Sequence, residues 1–157
     1  MNEDSVVLYD SFSDFAERFL LPKLNALEEV RSQLESGKID LMSIASSDVD
    51  VALNEYALST ELDPHDFGVP DAFYVEPDVV EDIGIYEISG ATALPGGDIF
   101  VESTWSGQLS VIAHLPGYQT EYSERRIEAT IHLVLDWETF ENKGLDVVSI
   151  EIQEPLY

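Results

Sequence analysis

No cysteine occurs among the 157 residues, and that absence excludes disulfide scaffolds, thiolate zinc sites and thiol nucleophiles. Basic residues are nearly as scarce. Seven lysines and arginines stand against 32 aspartates and glutamates, a formal charge of -25. The scarcity is also uneven: between positions 39 and 124 the chain runs 86 residues without a lysine or arginine, while placing 17 carboxylates there. A body of that charge repels nucleic acid, anionic membranes and phosphorylated substrates, and attracts basic surfaces. No apolar run approaches the roughly 20 residues that span a bilayer. The start, Met1-Asn-Glu-Asp, lacks the basic residues of a secretory signal, so a cytoplasmic protein with no membrane contact is expected. Catalytic signatures are missing as well. There is no glycine-flanked serine elbow, no phosphate-binding glycine loop and no paired-carboxylate signal, so no enzyme activity and no cofactor are expected.

What is present argues for a folded body rather than an acidic disordered tail. Hydrophobic residues make up 45% of the chain and aromatics 10%, with 7 Phe, 7 Tyr and 2 Trp, whereas acidic disordered segments are poor in aromatics and β-branched residues. The length suits one domain across 1–157, with a helical part at about 10–67 and a sheet part at about 79–153.

In the helical part, Ser11 and Asp14 have capping-box spacing, and Phe12, Phe15, Phe19 and Leu20 recur at helical intervals. Pro22 interrupts or re-starts that helix. Leu24, Leu27, Val30 and Leu34 then form a stripe that ends at Ser36-Gly37, where glycine supplies a left-handed cap. A second helix is expected from Asp48 as N-cap, through Val49, Leu53, Tyr56 and Ala57, to Asp63-Pro64.

From about Val79 the apolar period falls to two, the mark of strands with one buried face. Strands are expected at 83–88, 99–105, 109–115, 126–137 and 147–152. Ser106-Gly107 is read as a tight turn between the second and third, Gly96-Gly97 as another turn, and Trp137 as part of the buried row of the fourth. The fold class is therefore α+β, with N-terminal helices packed on an antiparallel sheet of about five strands.

Three groups of residues invite a chemical reading, each beside a plainer one. Asp63-Pro64-His65-Asp66 gathers two carboxylates and an imidazole, but matches neither a calcium loop nor a zinc-ligand interval, and reads as a turn closing a helix; no metal is expected. His114 and His132 fall on the polar face of neighbouring strands with Glu102, Thr104, Glu128 and Thr130. Imidazole beside carboxylate suits proton transfer, yet no nucleophile accompanies them, and a solvated sheet face explains the pattern. The acidic ridge has the strongest claim. Glu76, Asp78, Glu81, Asp82 and Glu87 lead into the sheet with Asp98 and Glu102 beyond, and no counter-ion lies nearby in sequence. Tyr118 and Tyr122, in the loop Pro116-Gly-Tyr-Gln-Thr-Glu-Tyr, have the amphipathic shape favoured at binding hot spots.

In charge, size and lack of cysteine the chain resembles the DNA-mimic inhibitors with which phages and mobile elements block restriction enzymes and CRISPR nucleases. That resemblance implies a stoichiometric inhibitor of a basic partner, a nuclease or other nucleic-acid-binding protein, whose phosphate-binding channel it fills with carboxylates. In element order, through Leu20-Leu21-Pro22, the helix ending at Ser36-Gly37 and the strands that follow, it is also similar to the helix-then-sheet accessory region of some PIN-domain proteins, without their nuclease half, which implies an interaction module. The rival expectations are a salt-adapted or generic acidic domain and an immunity-type toxin-binding protein. The abundance of large apolar side chains, 11 isoleucines and 17 leucines, weighs against salt adaptation. A symmetric dimer through an unpaired edge at 147–152 is a further arrangement.

Overall fold

A computed structural model of the chain describes residues 11–15, 18 and 21–154. The chain divides into two units, Met1–Ile39 and Asp40–Tyr157.

In the first unit a single turn, α1 (Phe12–Phe15), precedes α2 (Leu21–Glu35). The Asp14 N–H donates to Ser11 Oγ at 3.1 Å, as the capping spacing requires. Pro22 lies in the first turn of α2, where its missing N–H leaves no helical bond unmade. The helix closes at Gly37, whose φ of +77° is the left-handed cap conformation. Around that cap the Ile39 N–H reaches back to Gln33 O at 3.0 Å. Val30 and Leu34 are buried. The side chains of Phe12, Phe15, Leu24 and Leu27, and the whole of Phe19, Leu20 and the acidic amino terminus, lie outside the described residues.

The second unit opens with α3 (Leu41–Ser59), which begins earlier than the expected start at Asp48. Its N-cap is Asp40, whose carboxylate accepts from Ser43 N at 3.3 Å and from Ser43 Oγ at 2.8 Å. Asp48 instead lies inside the helix and accepts from Asn142 Nδ2 at 2.9 Å. The cause is local: Asp40 precedes an unbroken apolar row, Leu41, Ala45, Val49, Leu53 and Ala57, every member of which is buried. A 3-10 turn, Pro64–Phe67, follows, capped by Asp63 and buried at Phe67.

Four strands complete the unit: β1 (Tyr74–Ala93), β2 (Ile99–Leu115), β3 (Gln119–Leu135) and β4 (Asn142–Ile152). They form one antiparallel sheet in the order β1-β2-β3-β4, and α3 packs on it, so the fold is α+β with four strands rather than about five. The difference lies at Ser106-Gly107, which is not a turn: β2 runs straight through it, pairing Gly107 with Ile127. Glycine is needed there because β1 crowds the site. A Cβ on Gly107 would meet Val80 Cγ1 at 3.1 Å and Glu81 O at 3.2 Å.

One face of the sheet is the core. On β2 and β3 the alternating residues Val101, Trp105, Leu109, Ile127, Ile131 and Leu133 are buried, while α3 packs along β1 and β4. Asn54 fixes the helix to the sheet edge, accepting from Val80 N at 2.9 Å and donating to Val80 O at 3.3 Å. Trp137 does not continue the buried row. It lies in the β3–β4 connection beyond Leu135 and is exposed, because the Asp136 carboxylate bonds the N–H groups of Glu138 and Thr139 and turns the chain.

Candidate functional site

The other face of the sheet carries the polar residues, and cross-strand register shows which of them align. Gly90, Glu102, His132 and Asp146 form one row across the four strands. Gly84, Ser106, Glu128 and Glu151 form a second; Glu81, Gln108 and Arg126 a third. Glu76 lies opposite Ile112, which lies opposite Tyr122. With Glu87 and Glu124, eight carboxylates share this face: Glu76, Glu81 and Glu87 from β1, Glu102 from β2, Glu124 and Glu128 from β3, Asp146 and Glu151 from β4. Arg126 is the one lysine or arginine aligned with them among the described residues. It lies over the Tyr86 ring, 5.9 Å from its centroid, and 3.9 Å from Glu128.

Strict alternation along β1 would place Glu76 on one side of the sheet and Glu81 and Glu87 on the other. Register shifts at 77/79, 81/84, 85/87 and 88/90 change the parity and bring all three to one face. Asp78 is left unpaired at the first of these bulges, and Asp82, with a φ of +52°, is left unpaired with Ile83 at the second. Both aspartates are exposed, beside the face rather than in its rows.

Two further members of the expected ridge stand differently. Asp98 lies in the β1–β2 turn with Gly96 and Gly97, and is not unneutralised: Lys143 Nζ approaches its two carboxylate oxygens at 3.1 and 3.2 Å. Tyr118 sits at the tip of the β2–β3 turn, fully exposed, while Tyr122 is exposed on the polar face itself. Nor does the cation-free stretch make one continuous surface. Of its 17 acids, Glu76, Glu81, Glu87, Glu102 and Glu124 reach the open face. Others, among them Asp50, Glu55, Glu61 and Asp71, are exposed on α3 and the connection that follows it.

The two strand histidines do share the polar face, but they do not meet. His132 aligns with Glu102, 3.8 Å away, and packs edge-on to Phe100. His114 aligns with Tyr74 and lies 3.1 Å from Glu76. Twelve positions of β2 separate Glu102 from His114, roughly 40 Å along an extended strand. A shared proton-transfer site therefore does not assemble. At the helix-closing motif, Asp63 accepts from His65 N at 3.0 Å and lies 3.0 Å from its Nδ1. The His65 backbone N–H, then its ring, holds the Asp63 carboxyl below its ordinary value. Among the described residues no group of three or more histidines and carboxylates is arranged to hold a metal ion.

Arg125, adjacent in sequence to Arg126 but on the opposite side of the strand, was not singled out by sequence pattern. Its guanidinium lies over Gly68, where a Cβ would come within 2.7 Å of it, and its Nε is buried without a hydrogen-bond partner. The doubled Arg125-Arg126 in an acid-rich chain was the signal available.

No helix among the described residues is long and apolar enough to cross a membrane. No family model matches the chain, and comparison with curated proteins and with solved structures finds no match either.

Proposed function

We infer that this is an acidic binding protein which masks the nucleic-acid-binding surface of a basic partner, using the open face of its sheet. The observation that carries the reading is the composition of that face: eight carboxylates aligned with a single arginine. Four strands of 11 to 20 residues present roughly 1,000 Å² of surface, the size of one side of a specific protein interface. Duplex DNA carries about one charge per 1.7 Å of axis, so eight carboxylates over a strand length of roughly 55 Å are several-fold sparser. The mimicry is therefore one of net field over a basic channel, with no phosphate-by-phosphate register.

The test is capture of basic nucleic-acid-binding proteins from a cell lysate at two ionic strengths, with DNA as competitor. Glu81→Lys/Glu87→Lys/Glu102→Lys reverses charge on the face. Glu55→Lys/Glu61→Lys/Asp71→Lys makes the same change in net charge elsewhere. The face variant is expected to lose salt-sensitive, DNA-competed capture while the other retains it. Equal retention by both variants overturns the reading, and equal loss reduces it to a net-charge effect.

The acids on α3 and at 61–71 favour a second reading, a generally salt-adapted domain with no partner. It predicts unfolding of the wild-type chain in low-salt buffer, which the first reading does not.

A further inference from the structure

One end of the sheet bears aromatic surface that the acidic rows leave unexplained. Phe73, just before β1, donates its N–H to His114 O at 2.8 Å, yet its side chain is 74% exposed. Tyr74 stacks on the His114 ring, centroids 4.4 Å apart and planes 17° from parallel, and His114 Nε2 lies 3.1 Å from Glu76 Oε2. Tyr118 stands at the turn with a φ of +60°, a conformation uncommon for any residue but glycine, and with its ring wholly in solvent. These rings bound an open cavity of about 530 Å³ that no lysine or arginine lines. Exposed rings clustered around one hollow mark a contact surface.

We propose that this cavity receives an arginine side chain of the partner, its guanidinium lying against Phe73, Tyr74 and Tyr118, with the nearest negative charge that of Glu76, which stands outside the lining and is joined to it through His114. The inference rests on the reading of a basic partner given above. Aromatic faces carry the negative end of the ring quadrupole, and a guanidinium is planar and weakly hydrated, so it stacks where an ammonium stays solvated. The same protein already pairs a guanidinium with a ring and a carboxylate in this way: Arg126 over Tyr86, beside Glu128. The surrounding negative potential selects a cationic occupant over a neutral apolar one.

The experiment titrates the full chain, followed by NMR of its aromatic side chains, with N-acetyl-Gly-Arg-Gly-amide and with the same peptide carrying citrulline, a neutral analogue of arginine. Nona-arginine is titrated in parallel over a range of salt. The variant is Tyr118→Asn, since asparagine tolerates the left-handed backbone and keeps the turn. The arginine peptide is expected to shift the ring signals of Phe73, Tyr74 and Tyr118, citrulline to bind several-fold more weakly, and Tyr118→Asn to weaken binding by about three- to tenfold. Its nona-arginine salt dependence stays that of the wild type. Equal binding of citrulline and arginine overturns the proposal. So does an unchanged affinity in Tyr118→Asn while nona-arginine still binds with steep salt dependence, a result that leaves the acidic-face reading intact. If nona-arginine does not bind at all, the acidic-face reading fails and the proposal falls with it.

Discussion

Ser103→Ala is expected to destabilise the protein far more than the loss of one small oxygen suggests. Ser103 is fully buried, the one buried polar side chain among the described residues. Its hydroxyl donates to Ile131 O at 3.0 Å and accepts from Trp105 Nε1 at 2.8 Å, joining β2 to β3 in the middle of the core. Alanine leaves the indole N–H buried with no acceptor, which costs about 1–3 kcal/mol, and forfeits the bond to Ile131, worth about 1 kcal/mol. The sum, about 2–4 kcal/mol, lowers the melting temperature by roughly 6–12 °C for a chain of this size. In a Trp105→Phe background there is no indole N–H to strand, so Ser103→Ala then costs only about 1 kcal/mol. The coupling between the two substitutions is thus about 1–3 kcal/mol. Urea unfolding of the four proteins, followed by circular dichroism, measures it. A cost below about 0.5 kcal/mol, or the same cost in both backgrounds, refutes the reasoning. The consequence reaches the polar face, because Glu102 and Thr104, on either side of Ser103, are held opposite His132 and Thr130 by the same pairing.

Gly107→Ala places a Cβ 3.2 Å from the Glu81 carbonyl oxygen, a backbone atom with little freedom to retreat. A loss of about 1–3 kcal/mol is expected in thermal melts, and an unchanged melting temperature contradicts the close approach of β1. The N–H groups of Thr139 and then Glu138 hold the Asp136 carboxyl below its ordinary 3.8. A depressed folded value adds stability that is present above pH 3.8 and lost as pH falls through the folded value. The stability advantage of wild type over Asp136→Asn should therefore be widest above pH 3.8 and close below it; a gap that widens on acidification contradicts the assignment.

Much of the fold was legible because its signals are local. The four-residue spacing of Val49, Leu53 and Ala57 marked α3, Gly37 marked the end of α2, and the alternation from Ile127 to Leu135 marked β3. The errors also have local causes. Asp48 is as good a cap by composition as Asp40, and only the buried Leu41 and Ala45 ahead of it place it inside the helix. Ser106-Gly107 carries the composition of a turn, but its glycine answers a neighbouring strand. Trp137 continues the alternation of β3 in sequence and leaves it in space, because Asp136 bends the chain.

By itself the sequence determined the sign and scale of the electrostatics, the lack of thiol chemistry, and the alternation that gives the sheet one apolar and one polar side. Those are properties of composition and of a two-residue period, and they need no partner strand. Which acids stand together was settled only in three dimensions. The bulges of β1 exist through its pairing with β2, and they carry Glu76, Glu81 and Glu87 to one face where regular alternation would part them. Lys143, 45 positions along the chain, withdraws Asp98 from the unneutralised set. Charge is additive along a chain, whereas a recognition surface depends on cross-strand register and on ion pairs between residues distant in sequence.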